Sequence, residues 1–200
     1  MVNLITPTTF TKMNCIFIIH GWDGNSQEER YRKLKSQLKD KNFKVHVLDM
    51  PNTSEPKITS WVSHLEKAVG VPDSETYFVG NSIGCQTILR YLQKLPEKIK
   101  VGGVVFSAGW INLKGLEDEE VAEIAKPWLE AHLNWERIKS HCDNFVCIFS
   151  DDDPYVFLED KEIFKEKLGA EIFVEHNKGH FPGYDSDLVF REIVEMALKK

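Results

Sequence analysis

The sequence predicts an α/β fold, a three-layer sandwich in which a mainly parallel sheet of about six strands carries helices on both faces. Short apolar runs alternate with longer amphipathic stretches along most of the chain. This alternation requires parallel pairing, in which each helix crosses over to the next strand with right-handed geometry. No repeat, low-complexity segment or linker divides the chain, so residues 13–200 are expected to form one domain. Residues 1–12 are polar and rich in threonine, and they are expected to form a loose extension.

Six runs have the composition of strands, because β-branched and aromatic residues are frequent in them. The first is a continuous apolar run that ends at His20. The second is closed by the turn residues around Pro51, and the third leads directly into the segment that contains Ser82. The predicted strands are residues 15–20, 43–48, 76–79, 101–106, 145–149 and 171–175.

Six stretches have apolar residues at helical spacing. In the first of them, Tyr31, Leu34 and Leu38 share one face. Residues 110–133 break the alternation, because they are acidic and contain Pro127, and neither a helix nor a strand is assigned there. The predicted helices are residues 27–39, 58–69, 83–95, 135–141, 157–168 and 188–200.

Charge, hydropathy and cysteine content indicate which partners and which location to expect. The net charge of −6 disfavours nucleic acid and anionic membranes as partners, since both bind basic surfaces. The longest apolar run, residues 15–19, is too short to span a bilayer, and the N-terminus lacks a basic segment followed by an apolar one, so no secretory signal is visible. The 4 cysteines contain no CxxC pair, which favours buried free thiols and a cytoplasmic location.

The sequence Gly80-Asn81-Ser82-Ile83-Gly84 lies between a predicted strand and a predicted helix. In that context the Gly-x-Ser-x-Gly pattern is typical of a nucleophile elbow, a sharp turn that exposes the serine hydroxyl above the sheet. A Cβ at either glycine would strike the neighbouring strand or helix. The backbone N–H of Ile83 is expected to donate a hydrogen bond to an oxyanion.

A serine nucleophile needs a base, normally a histidine held in one tautomer by a carboxylate. His180 is the predicted base, because its loop leaves the last strand at the sheet edge where the elbow also emerges. His176 lies too close to the end of that strand to reach the serine, and His20 is given a structural role. The remaining histidines are assigned to structure or solvent, and they are His46, His64, His132 and His141.

The carboxylate that orients the base is expected after the strand at residues 145–149, where Asp151, Asp152 and Asp153 follow one another. Two other interpretations are open for these aspartates. One is a turn that caps the following helix. The other is a metal site, for which the sequence identifies no further oxygen ligands, so neither a metal nor a cofactor is predicted.

With these residues, the chain resembles the α/β-hydrolase superfamily throughout residues 13–200. More narrowly, it resembles the small serine hydrolases related to retinoblastoma-binding protein 9 and YdeN, through the absence of a cap domain, the Ser107–Trp110 run and the late Gly-His-Phe at residues 179–181. Asn81 departs from the superfamily, in which histidine is commonest at that position. The resemblance implies a minimal α/β-hydrolase that cleaves ester, amide or thioester bonds.

The resemblance also assigns individual roles. The segment that begins Asp153-Pro154 is similar to the acid loop of many α/β-hydrolases, which implies Asp153 as the triad acid and leaves Asp151 and Asp152 in the turn. The loop after the first strand is similar to His-Gly-x loops, which implies that the backbone of Trp22 donates to the oxyanion. The predicted catalytic residues are Ser82, Asp153 and His180, with Trp22 and Ile83 as oxyanion donors.

Aromatic residues near the predicted mouth indicate an apolar acyl or aryl pocket, and they are Trp22, Trp110, Trp128 and Phe181. Because no cap covers the site, small-molecule substrates with short or protruding acyl groups are expected. An aminopeptidase or amidase is one alternative, in which Asp23 or Asp49 binds a substrate ammonium group. A protein-interaction module on a hydrolase fold is the other, although the predicted triad is not broken.

Overall fold

The structure is a computed structural model that describes residues 13–41, 43–181 and 186–198. The strands are β1 (Cys15–Ile19), β2 (Lys44–Leu48), β3 (Thr76–Asn81), β4 (Gly103–Ser107), β5 (Phe145–Ser150) and β6 (Glu171–Glu175). The helices are α1 (Glu29–Lys39), α2 (Ile58–Val69), α3 (Ile83–Leu92), α4 (Glu119–Glu130), α5 (Trp135–Ser140), α6 (Asp160–Leu168) and α7 (Ser186–Leu198). The predictions for residues 1–12 and for the last two residues of the chain fall outside the described residues.

The described strands form one sheet in the order β2-β1-β3-β4-β5-β6, and each pair of neighbours is parallel. The central strands β3, β4 and β5 are buried at every position, whereas β2 and β6 at the two edges are mostly half-buried. This difference is expected when helices cover both faces of the sheet. Among the helices, α1 contacts α7, while α2, α3, α5 and α6 form a row of neighbours. The predicted parallel sandwich of six strands is confirmed.

The strand order reverses beside β1, because β2 lies on one side of it and β3 on the other. In open parallel sheets such a reversal leaves a crevice beyond the carboxyl ends of the strands. The loop that begins at His20 follows β1, and Ser82 follows β3. The topology therefore brings the first loop and the elbow to the same crevice.

The helix α4 lies in the acidic segment to which the sequence assigned no element. At its start, the carboxylate of Asp118 accepts two backbone N–H groups of the first turn, at 2.9 and 3.1 Å. Near its end, Arg90 of α3 donates to the carbonyls of Trp128 (2.6 Å) and Ala131 (3.1 Å). The helix therefore forms in spite of Pro127, because both of its ends are satisfied by side chains.

Five helix boundaries differ from those predicted. The helix α1 begins at Glu29 rather than residue 27, α3 ends at Leu92 rather than 95, and α6 begins at Asp160 rather than 157. By smaller margins, α5 ends at Ser140 rather than 141, and α7 begins at Ser186 rather than 188. Before α6, the backbone N–H of Asp160 donates to the carbonyl of Phe157 at 3.1 Å, so the chain enters this helix through a turn. No helix in the described part of the chain is long and apolar enough to cross a membrane.

Candidate active site

Ser82 occupies the turn between β3 and α3, with a left-handed φ of 52° and a ψ of −118°. Few residues other than glycine adopt a positive φ, and a nucleophile elbow imposes it on the serine. The flanking glycines allow the close packing around this turn. A Cβ on Gly80 would lie 2.8 Å from the backbone nitrogen of Cys85, and a Cβ on Gly84 would overlap the carbonyl oxygen of Ile19.

A continuous line of hydrogen bonds joins Ser82, His180 and Asp153. Oγ of Ser82 lies 3.0 Å from Nε2 of His180, and Nδ1 of His180 lies 2.8 Å from Oδ2 of Asp153. Because a carboxylate can only accept hydrogen bonds, Nδ1 carries the ring proton and Nε2 presents its lone pair to the serine hydroxyl. This arrangement can remove a proton from the hydroxyl as the oxygen attacks a substrate.

The carboxylate of Asp153 is fixed on both oxygens. Its Oδ1 accepts the backbone N–H groups of Tyr155 (2.9 Å) and Val156 (3.0 Å). The side chain of Asp153 is only 2% exposed, compared with 25% for His180. The ring of Tyr155 meets that of His180 edge to face, with 5.2 Å between the centroids. The imidazole is therefore confined between a buried carboxylate and an aromatic ring.

Asp151 binds the beginning of the loop that carries His180. It accepts the backbone N–H of Asn177 at 3.0 Å, and its Oδ2 lies 2.6 Å from Nδ1 of His176. These two hydrogen bonds hold the pKa of Asp151 below its usual value. The same contact with Asp151 raises the pKa of His176. The predicted turn residue Asp151 therefore contacts the loop that carries His180 rather than His180 itself.

Asp152 binds the same loop at Gly179, the residue directly before His180. Its Oδ1 accepts the hydroxyl of Ser150 and the backbone N–H of Gly179, both at 2.7 Å. Both bonds lower the pKa of Asp152, and the bond from Ser150 has the larger effect. Within the described residues, no group of three or more His, Cys, Asp or Glu side chains is placed to hold a metal ion.

His20, at the end of β1, has both ring nitrogens occupied by the backbone. Its Nε2 accepts the N–H of Met50 at 3.1 Å, so Nδ1 carries the proton and donates to the carbonyl of Gly21 at 2.7 Å. Burial lowers the pKa of His20, which favours the neutral ring. His46 stacks on Phe17 within the sheet, with 4.9 Å between the ring centroids. Both ring nitrogens of His20 are therefore occupied, and His46 packs against Phe17 within the sheet.

Ser82 and His180 line a cavity of about 620 Å³, a size typical of small-molecule sites. One of its walls comes from α4, through Val121, and another from the segment after β4. The apolar lining residues are Trp22, Ile83, Trp110, Leu113, Leu116, Val121 and Tyr155. The charged lining residues are Asp23, Glu28, Arg30 and Lys114.

Two backbone N–H groups that border this cavity, those of Trp22 and Ile83, have no hydrogen-bond acceptor within the described residues. The N–H of Ile83 is in the first turn of α3, where no intrahelical acceptor exists. The indole of Trp22 is held separately, because its Nε1 donates to the carbonyl of Ser54 at 3.0 Å. Both backbone donors are therefore available to a ligand beside Ser82.

Comparison with known proteins identifies the family. A family model described as serine hydrolase matches residues 16–199. This chain belongs to the serine hydrolase family. It is 25% identical over 166 residues to the protein YdeN of Bacillus subtilis (strain 168), an alignment that covers 83% of this chain and 85% of YdeN. It is 24% identical over 178 residues to the serine hydrolase RBBP9 of Rattus norvegicus, covering 88% of this chain and 87% of RBBP9.

Solved structures show the same fold. The crystal structure of the ydeN gene product from B. subtilis superposes with a TM-score of 0.84 at 23% identity, covering 94% of this serine hydrolase and 100% of the other chain. Est1E from Butyrivibrio proteoclasticus superposes with a TM-score of 0.71 at 15% identity, covering 94% and 88%. These findings confirm the predicted minimal α/β-hydrolase fold and the predicted resemblance to the YdeN type. Its membership of the serine hydrolase family makes this protein a hydrolase.

The predicted pocket residues of this serine hydrolase divide into two groups. Trp22 and Trp110 line the cavity. Phe181 is 2% exposed and is not among the lining residues. Trp128 is also buried, and its Nε1 donates to the carbonyl of Pro56 at 2.9 Å, away from Ser82. Substrate contact stays a prediction for Trp22 and Trp110. The lining of the cavity does not support a substrate-binding role for Phe181 or Trp128.

Sequence reasoning missed the charged residues at the start of α1 that reach this site. Arg30 and Glu28 line the cavity and pair with each other at 2.7 Å. Arg30 also donates to the carbonyl of Phe181 at 2.9 Å, across 151 positions of the chain. The one available signal is that α1 follows the loop of Trp22, which the sequence predicts to lie beside the elbow. The sequence pattern does not predict the direction in which the Arg30 side chain points.

Proposed function

We propose that this serine hydrolase cleaves esters of small carboxylic acids through an acyl-enzyme intermediate. His180 takes the proton of Ser82 while the serine oxygen attacks the carbonyl carbon of the ester. The tetrahedral intermediate collapses, and His180 gives the same proton to the departing alcohol. A water molecule then attacks the acyl group with His180 again as the base, which releases the acid and restores Ser82.

The line from Ser82 through His180 to Asp153, at 3.0 and 2.8 Å, is the observation that carries this proposal. Asp153 holds the ring in the tautomer that can accept the serine proton, and it stabilises the imidazolium that forms. The N–H groups of Trp22 and Ile83 are proposed to bind the oxyanion. Their lack of an acceptor in the described protein supports this role, because preorganised donors of this kind stabilise the transition state.

Labelling with a fluorophosphonate tests the proposed nucleophile. Wild type is expected to be labelled at Ser82, while Ser82→Ala is not labelled and loses about 10⁴-fold or more in kcat for p-nitrophenyl acetate. Ser140→Ala is a matched control, since this exposed hydroxyl only donates to the carbonyl of Arg137. Equal labelling of wild type and Ser82→Ala would end the proposal.

Chain length of the acyl group tests the predicted substrate class. Short acyl groups can be enclosed beside Trp110 and Leu113, whereas a long chain extends beyond the cavity into water and gains no further burial. We expect kcat/KM to be higher for p-nitrophenyl acetate and butyrate than for the palmitate ester. Faster turnover of the palmitate ester would refute this preference.

Aminoacyl substrates are the second candidate, supported by one observation. The exposed carboxylate of Asp23 lines the cavity and offers a partner for a substrate ammonium group. Asp49, the other candidate, is already occupied by the backbone N–H and the hydroxyl of Ser26, both at 2.8 Å. If this function holds, aminoacyl p-nitroanilides are cleaved faster than acetyl p-nitroanilide, and Asp23→Asn removes the difference. Equal rates for the two substrates exclude it.

A further inference from the structure

His180 lies between two residues with left-handed backbones. Gly179 has a φ of 54°, and Phe181 has a φ of 50°. Glycine adopts this region readily, but a phenylalanine there is strained and persists only where its surroundings hold it. The position of the imidazole therefore depends on contacts that keep its two neighbours in place.

Gly179 is held from the side of β5. Its backbone N–H donates to Oδ1 of Asp152 at 2.7 Å. The same oxygen accepts the hydroxyl of Ser150 at 2.7 Å, and Oγ of Ser150 in turn accepts the N–H of Lys178 at 3.1 Å. A carboxylate that accepts from a backbone N–H makes a charge-assisted hydrogen bond, stronger than one between neutral groups. This bond ties the residue before His180 to the end of a central strand.

Phe181 is held from the opposite side of the crevice. Arg30 donates to its carbonyl at 2.9 Å. The guanidinium is itself fixed, because it pairs with Glu28 at 2.7 Å and lies 4.7 Å from the ring centroid of Tyr31. The side chain of Arg30 is only 12% exposed, so water competes little for this bond. The residue after His180 is therefore tied to the start of α1.

We propose that Asp152 and Arg30 are positioning residues that hold His180 in line with Ser82 by fixing the residues before and after it. The inference rests on the proposed function, in which His180 is the base. Asp152 bonds to the backbone of the loop and not to the imidazole, and Arg30 reaches the loop at the carbonyl of Phe181. Their effect is to restrict where the imidazole lies before the substrate arrives.

Asp152 is tested by measuring kcat and KM for p-nitrophenyl acetate with the full chain. We expect Asp152→Ala to lower kcat about 10- to 100-fold, because displacement of a catalytic group by about 1 Å has an effect of this size. KM is expected to change little, since Asp152 does not line the cavity. Asp152→Asn should recover most of kcat, because the amide oxygen can still accept both hydrogen bonds. A residue that only stabilises the fold would lower the unfolding midpoint and leave kcat per folded molecule unchanged.

Arg30 is tested in the same assay. Arg30→Met is expected to lower kcat by a similar factor, and Arg30→Lys to recover part of it, since a lysine keeps the charge and one donor. Matched controls are Asp143→Ala, an exposed partner of Lys100, and Arg32→Met, an exposed position of α1. Both controls should keep the wild-type kcat.

A folded Asp152→Ala or Arg30→Met enzyme with a kcat within about twofold of wild type overturns the positioning role. Ser82→Ala, measured alongside, separates this result from failure of the proposed function. If Ser82→Ala is inactive, the nucleophile stands and only the positioning role is lost; if it is fully active, the proposed function fails instead. Should Asp152→Ala not fold, Asp152→Ser replaces it, with the same expected loss of kcat and the same result that overturns the inference.

Discussion

Three consecutive aspartates after β5 have different environments although their side chains are identical. Asp153 is buried and meets His180, whereas Asp151 and Asp152 are exposed and accept backbone N–H groups of the loop before it. Burial removes water from the Asp153–His180 contact and strengthens it, because a low dielectric increases electrostatic attraction. A shift of one residue thus separates a carboxylate that contacts the imidazole of His180 from carboxylates that bind the backbone of its loop.

The pair of Asp151 and His176 predicts a pH dependence at the residue scale. The pKa of His176 is raised by Asp151, so the stabilising effect of this histidine is complete below the unfolded pKa of about 6.5 and is lost as the pH rises through the raised value. The pKa of Asp151 is lowered, so its stabilising effect is present above about 3.9 and is lost as the pH falls through the lowered value. The stabilising effect of the ion pair is therefore complete between about pH 4 and about pH 6.5, and it declines as the pH rises through the raised pKa of His176.

An NMR titration of the histidine ring protons measures this directly. His176 should titrate above about 6.5 in wild type and closer to that value in Asp151→Asn, because the amide carries no charge. Identical midpoints for His176 in the two proteins would contradict the assigned contact.

At the scale of elements, α3 organises the segment that builds one wall of the cavity. Gln86 donates to the carbonyl of Trp110, and Arg90 donates to the carbonyls near the end of α4. The carboxylate of Asp160, at the start of α6, accepts the N–H groups of Ile111 and Asn112, at 2.6 and 2.8 Å. The segment after β4 is therefore fixed by buried polar side chains of two other helices.

Removing the guanidinium of Arg90 should destabilise the protein, because the end of α4 loses its hydrogen-bond donors. Burial lowers the pKa of Arg90 to about 10, so the group stays charged at neutral pH. We expect Arg90→Met to reduce the free energy of unfolding by about 2–4 kcal/mol, because buried carbonyls lose charged donors. Urea denaturation measures the change.

Lys94→Met, in the turn after α3, is the matched control for this prediction. It removes an exposed ion pair with Glu66 at 2.5 Å, which should contribute no more than about 1 kcal/mol. If Arg90→Met is no more destabilising than Lys94→Met, the assigned role of Arg90 is wrong.

At the scale of the whole molecule, the parallel sheet is what assembles the site. Ser82 follows β3, Asp153 follows β5 and His180 follows β6, each beyond the carboxyl end of its strand. Parallel strands present those ends at a single edge of the sheet, so three segments distant in the chain meet there. The strands β3 and β5 are buried at every position, and close packing of this kind restricts movement of the segments that follow them.

The burial of the central sheet also predicts how the thiols react. Cys85, Cys142 and Cys147 are buried, and Cys15 is half-buried; all four are unpaired. Burial raises the pKa of Cys142 to about 12 and raises those of Cys85 and Cys147 further. At pH 8, Ellman's reagent should therefore modify Cys15 in the native protein and the other three only after unfolding, because the thiolate is the reactive form. Rapid modification of Cys85 in folded protein would show that the core is more open than described.

Much of this arrangement was predictable from local pattern. The elbow around Ser82 was predictable, because its glycines and the strand before it are adjacent in sequence. The strands were also predictable, because parallel strands that are buried on both faces are continuous apolar runs. The helix α4 was not predicted, because Pro127 and exposed acidic residues conceal it and contacts from Asp118 and Arg90 stabilise it.

By itself, the sequence determined the α/β class, the strands, the candidate nucleophile and the family resemblance, since these depend on composition and spacing within a few residues. Only the tertiary structure decided which aspartate faces His180, which aromatic residues line the cavity, and that Arg30 reaches the carbonyl of Phe181. Side-chain direction depends on neighbours that are distant in the chain. Apolar periodicity encodes which face of an element is buried, but it does not encode which polar group each buried side chain meets.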